Sequence, residues 1–271
     1  MGGSLALSLR RRNFATHFVG VENNPQHAQT ALALGLVDEI SDLQTAVSEA
    51  DMVILAVPVN IARKLLHTIL DCIKPTAVVV DMGSTKNGIC TEFRKHPKRN
   101  QFVASHPMAG TEYSGPEAAI DHLFDGKKAI ICEAKRSADA ALKRVIAMYD
   151  TLGMEIIFYD SAEAHDKHVA YVSHISHVSS FMLGLTVLEV EKDERHILDL
   201  AGTGFASTVR LAKSSPDTWT PIFLQNARLL SHALQTYIDN LQQFKTYIDN
   251  ADVENLHKMM EEANKIGKII R

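Results

Sequence analysis

Over the first 160 residues, hydrophobic positions gather in short β-branched runs separated by helical patterns. HFVGVE (His17 to Glu22), DMVILAVP (Asp51 to Pro58), AVVVDMG (Ala77 to Gly83), QFVASHP (Gln101 to Pro107), KKAIICE and MEIIFYD each read as a strand. DMVILAVP is apolar at consecutive positions, the pattern of a strand buried on both faces of a parallel sheet. Between strands, PQHAQTALALG opens with Pro25 and closes on Gly35, which are helix start and stop signals. NIARKLLHTILDCI and SADAALKRVIAMYDTLG carry apolar residues at helical spacing. Strands alternating with helices of these lengths predict an α/β fold, a parallel sheet wound by right-handed crossovers.

The pattern changes after Asp160. From Ser161 to Arg271 no strand is expected. SAEAHDKHVAYVSHISHVSSFMLGLTVLEV predicts one continuous helix over 161–190, with Asp160 and Glu163 in a capping-box pattern. Further helices are expected around Glu194 to Leu200, around Ser207 to Ala212, from Thr218 through Tyr247, and from Val253 to the end. Two domains follow, an α/β domain over 1–160 and an all-α domain over 161–271.

Apolar residues make up 46% of the chain and charged residues 22%, a globular profile, and the net charge of −4 disfavours nucleic acid or an anionic membrane as partner. Cys72, Cys90 and Cys132 form no CxxC pair and read as reduced thiols. No apolar run approaches the ~20 residues of a membrane span. Met1 leads into a glycine pair rather than a secretory core, so a cytoplasmic protein is expected.

Five stretches carry candidate chemistry. MGGSLALSLRRR places Gly2, Gly3 and Ser4 at the start of an apolar helix closing on Arg10 to Arg12, as where a helix N-terminus cradles a pyrophosphate. Glu22 ends the next strand about 20 residues on, where a carboxylate binds ribose hydroxyls and repels a 2′-phosphate, favouring NAD over NADP. Val57 and Pro58, and Ser84 in DMGSTK, follow strands at the sheet edge where ligands bind in open α/β folds. Ser84 also suits a simple helix cap. His106 in SHPMAGTEYSG is placed just beyond a strand, as a turn residue or a catalytic one. AHDKHVAYVSHISH brings Asp166, Ser173, His174 and His177 onto one helix. Its two H-x-x-H pairs lack a carboxylate or cysteine to complete a metal set, so no metal is expected. AGTGFASTVRLAKSSPDTW carries Arg210, suited to an ion pair or a bidentate grip on a carboxylate, and Trp219, by default a packing residue.

Taken together, SHPMAGTE, HD followed by VSHxxH, and an arginine followed by AKSSPxxW resemble the prephenate/arogenate dehydrogenases, nicotinamide enzymes of tyrosine biosynthesis. The resemblance runs along the whole chain in order. It implies a Rossmann-type nucleotide domain, an all-α dimerisation domain and a homodimer. The activity implied is NAD-dependent oxidative decarboxylation of prephenate, with arogenate as the alternative substrate. By resemblance His106 accepts a hydrogen bond from the substrate 4-hydroxyl, and Ser84 orients that hydroxyl and the nicotinamide. Arg210 binds a substrate carboxylate, and His177, with His174 and Ser173 beside it, binds substrate. Thr111 and Glu112 stand at the mouth of the site, and Trp219 lies near the neighbouring subunit's site. The family fingerprint reads GLGLIGGSLA or GLGLMGGSLA, so Gly2 and Gly3 correspond to its later glycines. An N-terminally truncated sheet with weak NAD binding is therefore expected, or even a helical dimer that no longer binds nucleotide. Ser207, where some relatives carry an acidic residue, puts an ionic gate in doubt, and Thr203 replaces a glycine of other relatives' glycine-rich turn. A β-hydroxyacid type dehydrogenase would need a K-x-x-N arrangement, whereas Lys167 is followed by HVA.

Overall fold

The computed structural model describes residues 1–192, 194 and 196–270. Residues 1–226 form one compact unit and residues 227–271 a second.

The first unit opens with helix α1 (Gly2–Arg11). Strand β1 (Val19–Gly20), helix α2 (Pro25–Ala33), strand β2 (Glu39–Ile40) and helix α3 (Leu43–Glu49) follow. Then come β3 (Met52–Leu55), α4 (Val59–Cys72), β4 (Val78–Asp81), α5 (Asn87–Glu92) and β5 (Phe102–Pro107). β6 (Lys128–Cys132), α6 (Asp139–Thr151) and β7 (Glu155–Tyr159) complete the α/β part. β1 and β2 pair in parallel as a separate ribbon, and the main sheet runs in the order β3-β4-β5-β6-β7.

Alternate residues of the main sheet serve two cores. Val79, Phe102, Ala104, Ile130 and Cys132 pack with Leu66, Ile69 and Leu70 of α4. Val78, Val80, Val103, Ala129 and Ile131 pack with Leu5 and Leu9 of α1 and Val145 and Met148 of α6. The period-two alternation of the strands thus meets the apolar stripe of a helix on each face.

The sheet departs from the sequence expectation in three places. β6 runs antiparallel to β5, with His106 opposite Ile130, and only the β3-β4-β5 and β6-β7 pairs are parallel. The connection 108–127 holds no α-helix, only a short 3₁₀ turn at Pro116–Ala118, so it supplies no crossover. The strand expected over 17–22 shrinks to Val19–Gly20. β3 is the edge of the main sheet and only Leu55 in it is buried, whereas β4 is buried throughout; consecutive apolar residues here mark an edge rather than a centre.

The helical part also differs in detail. The helix expected over 161–190 is α7 (Ala162–Val169), a π-helical turn (Ala170–His174) and α8 (Ile175–Glu191). Ser161, not Asp160, caps α7, its side chain accepting from the Ala164 N–H. The expected helix around 194–200 includes Arg195, outside the described residues; a 3₁₀ turn at Leu198–Leu200 lies within it. α9 (Thr203–Thr208) and a 3₁₀ turn (Arg210–Lys213) replace the helix expected around 207–212. The helix expected over 218–247 divides into α10 (Pro216–Gln225) and α11 (Ala227–Asp249), and α12 (Val253–Asn264) closes the second unit. The first unit runs past residue 160 because side chains of α7 and α10 bond to the β4–α5 turn.

Candidate active site

Three segments meet at the carboxyl end of β4 and β5. The first is the turn after β4. Asp81, the last residue of that strand, accepts the Ser105 N–H at 3.0 Å and the Gly83 N–H at 3.2 Å, and also pairs with the Lys86 ammonium. Asp81 and Lys86 are both buried. A Cβ at Gly83 would stand 3.1 Å from the Asp81 carboxylate and 3.1 Å from Val59 Cγ1, so a side chain there would press on both. Ser84 follows at the rim, half-buried. It caps nothing: Lys86 holds the N-cap position of α5 without a side-chain cap. The cap comes instead from α7, where Asp166 accepts the Lys86 N–H at 2.7 Å and the Asn87 N–H at 2.9 Å.

The second segment is β5. His106 is a residue of this strand, paired opposite Ile130 in the ladder, rather than one beyond its end. Its Nδ1 lies 3.0 Å from His165 Nε2, and His165 Nδ1 lies 2.8 Å from Asp166 Oδ1. Burial, with His165, Lys86 and His174 nearby, holds the His106 imidazole well below its ordinary pKa, so the ring is neutral.

The third segment is the helical wall. His174, on the π-helical turn, is fully buried and accepts from the Asn226 side-chain amide at 3.1 Å. Burial lowers its pKa to about 4. The same amide donates to the Asp166 carbonyl at 2.7 Å. His177 Nδ1 donates to the Ser173 carbonyl at 3.1 Å, and its ring stacks on Trp219 at a centroid distance of 3.3 Å. Trp219 thus lies on a histidine of its own chain. π-Helical turns inside α-helices occur often at functional sites, and here His174 meets Trp219 edge-on while His177 stacks on it.

The mouth is formed by the 108–127 connection. Arg210 Nη1 donates to Glu112 Oε2 at 3.1 Å, and the Thr111 hydroxyl accepts the Tyr113 N–H at 3.3 Å. At the other end of the sheet edge, the first-turn N–H groups of Gly2, Gly3 and Ser4 find no acceptor among the described residues. Such unpaired donors at a helix N-terminus suit a phosphate. Gly3 allows close packing: a Cβ there would approach Leu36 Cδ1 to 2.9 Å and Ala119 Cβ to 3.1 Å. Ser4 is buried and its hydroxyl accepts the Ile120 N–H at 3.0 Å, a structural bond. Glu22 is exposed and accepts the Asn24 N–H at 2.9 Å. Val57 is half-buried and Pro58, the N-cap residue of α4, is exposed after β3.

The comparisons with known proteins decide the family. A family described as "Prephenate dehydrogenase, nucleotide-binding domain" matches residues 5–158, and "Prephenate dehydrogenase, dimerization domain" matches residues 161–262. The chain belongs to the prephenate dehydrogenase family. Among members of that family, the prephenate dehydrogenase of Bacillus subtilis (strain 168) is 28% identical over 97% of this chain and 71% of its own length. The cyclohexadienyl dehydrogenase of Zymomonas mobilis is 32% identical over 87% of this chain and 80% of its own. The solved prephenate dehydrogenase of A. aeolicus, in complex with hydroxyphenyl propionate and NAD+, superposes with a TM-score of 0.90 at 32% identity, covering 100% of this chain and 95% of that one. The Synechocystis arogenate dehydrogenase structure superposes with a TM-score of 0.74 at 26% identity, over 99% and 96%. The Rossmann-type α/β domain followed by a helical domain fits the family's two-part plan.

Sequence reasoning missed His165 and Asn226 as members of this prephenate dehydrogenase site, and placed Asp166 there without a partner. The rings of both H-x-x-H pairs are engaged by protein groups: His165 by Asp166, His168 by the Tyr159 hydroxyl, His174 by Asn226 and His177 by a backbone carbonyl. The signal that could have found them is a charged residue amid buried ones on α7, which must be satisfied by something across the fold.

Proposed function

We propose that this chain is an NAD-dependent prephenate dehydrogenase that converts prephenate to 4-hydroxyphenylpyruvate with loss of CO2. The observation that carries this reading is His106: a neutral, buried imidazole on a strand, with its Nδ1 tied to His165 and no protein group on its Nε2 among the described residues. That nitrogen is the acceptor for the substrate 4-hydroxyl proton. Ser84 stands at the rim beside it and orients the same hydroxyl. Arg210 grips a substrate carboxylate through its guanidinium fork, and His177, backed by Trp219, forms the apolar and polar wall. His174 and Ser173 hold that wall from behind.

The unpaired first-turn amides of α1 hold the pyrophosphate of the dinucleotide, and Glu22 the adenosine ribose. Val57, Pro58 and Ser84 line the path toward the nicotinamide. When bound, NAD+ supplies the acceptor for the hydride leaving C4. Because aromatisation drives the reaction, the chain's own task is alignment and proton acceptance.

Glu112 favours prephenate over arogenate. Glu112 shares Arg210 with the substrate carboxylate, through Nη1 at 3.1 Å, and an arogenate ammonium would have to draw it away from that guanidinium. The 1–160 part serves the nucleotide and the 161–271 part serves substrate and a homodimer. Exposed Met182, Leu185, Leu188 and Val190 on α8 supply an apolar face for the second copy.

The test is NADH formation from NAD+ with prephenate or arogenate. Prephenate is expected to be preferred. His106→Ala is expected to lower kcat by roughly 10²–10⁴-fold with the fold retained. Unchanged turnover in that variant overturns the assignment. Because His106 is held neutral below its ordinary range, the acid limb of kcat/KM is expected below pH 6.5.

A further inference from the structure

We infer that His165 and Asp166 are positioning residues that fix the proton of His106 on Nδ1 and so keep Nε2 bare to accept the substrate proton. This rests on the reading of His106 as that acceptor. The direction is set at the far end of the chain of bonds. Asp166 already accepts two backbone N–H groups, from Lys86 at 2.7 Å and Asn87 at 2.9 Å, so its oxygens act as acceptors. His165 Nδ1, 2.8 Å from Oδ1 of that carboxylate, must therefore donate. A neutral imidazole that donates from Nδ1 has only a lone pair on Nε2. His106 Nδ1, 3.0 Å away, must then carry the proton that completes the second bond. The one remaining nitrogen of the series, His106 Nε2, is left as a lone pair.

The surroundings keep this arrangement in place. His165 and Asp166 are both fully buried. Burial lowers the His165 pKa, and although the Asp166 carboxylate opposes that shift, the net effect keeps the ring from carrying two protons. Tyr159 at the end of β7 meets the His165 ring edge-on at 6.0 Å and 87°, which restrains its rotation. Asn226, from the break between α10 and α11, bonds the Asp166 carbonyl and holds the turn of α7 that presents both residues. The charged and titratable groups around His106 are His165, Lys86 and His174. When the 4-hydroxyl proton moves to Nε2, His106 holds both protons and one positive charge. Its Nδ1–H stays bonded to neutral His165, whose own Nδ1–H stays donated to the Asp166 carboxylate; no second proton moves.

The experiment is ¹⁵N-histidine labelling of the whole chain, with long-range ¹H–¹⁵N correlation to read which imidazole nitrogen is protonated. His106 signals are assigned by their loss in His106→Gln. The expected result is His106 protonated on Nδ1 and His165 on Nδ1. In His165→Leu, His106 is expected to populate both tautomers, and kcat to fall on the order of 100-fold with KM for prephenate little changed. His165→Gln can donate to Asp166 and accept from His106, so it is expected to restore the Nδ1 tautomer and recover at least roughly tenfold of the lost kcat. An Nε2-protonated His106 in the unmodified chain, or an unchanged tautomer in His165→Leu, overturns the inference. The tautomer is read without substrate, so it decides this point even if prephenate is not turned over, an outcome that would instead defeat the functional reading.

Discussion

β4 and α8 are both strongly apolar stretches, yet they meet opposite fates. β4 has no exposed residue, and the polar groups around it are paired: Asp81 with Lys86, Ser105 and Gly83, and Asp166 with α5 and His165. In the 17 residues of α8 only Ser180 is buried, while Leu188 is 54% and Met182 51% exposed. A strand inside a two-faced sheet finds its whole environment in one chain. A helix this apolar that stays uncovered marks a surface whose environment is another molecule. The proposed acceptor His106 belongs to the first kind of region, and the proposed dimer face to the second.

The sharpest way to break this contrast is at Lys86. Lys86→Met leaves Asp81 buried with part of its network gone, and is expected to destabilise the fold by about 3–5 kcal/mol, read by chemical denaturation. A loss near zero would mean that the region is less self-contained than its pairing suggests. Next is assembly. Leu188→Glu places a charge on the apolar α8 face and is expected to weaken dimerisation by at least roughly 100-fold, measured by sedimentation at several concentrations. A native chain that stays monomeric at micromolar concentration removes the second half of the comparison.

The pH response separates the regions further. His106, His165 and His174 are all held below the ordinary 6.5, His174 at about 4, each mainly by burial. Between those values the unfolded chain binds more protons than the folded one, so this contribution to stability is complete above pH 6.5 and is lost as pH falls toward 4. Unfolding midpoints measured from pH 7.5 to 4.5 are expected to fall, and His174→Phe is expected to flatten the slope. Single leucines set the two regions side by side, and the smallest effect is on α8. Leu66→Ala in α4, at a site with no exposure, is expected to cost about 2–5 kcal/mol. Leu188→Ala in dilute monomer is expected to change stability by no more than about 0.5 kcal/mol.

Periodicity alone was enough to find β3 to β7 and to put Ser84 and His106 at one edge of the sheet, because local apolar spacing is what those strands are made of. It was not enough to orient β6. The absence of any helical pattern between His106 and Lys128 was the available sign that the chain doubles back. The π-helical turn over 170–174 and the break at Asn226 contain neither proline nor glycine. Both are made by tertiary bonds, among them Asn226 to Asp166 and His174, that no local window contains. The His106–His165 bond spans 59 positions for the same reason.

The antiparallel return of β6 has a consequence for how this protein could change. His106 is held by the β5–β6 ladder opposite Ile130, two residues beyond Ala104, where the pairing of β5 with β4 ends. The excursion 108–127, which carries Thr111 and Glu112, leaves the sheet immediately after that pairing with β6 and re-enters beside it. Its far end is fixed, because Ile120 and Asp121 bond to the Ser4 and Ser8 hydroxyls of α1 and Phe124 is buried in the core, so only the part around Thr111 and Glu112 is loosely held. On the proposed reading, exchange around Thr111 and Glu112 changes substrate choice while His106 stays where the β5–β6 ladder puts it, so one fold holds the proposed acceptor and the proposed selector on differently constrained backbone.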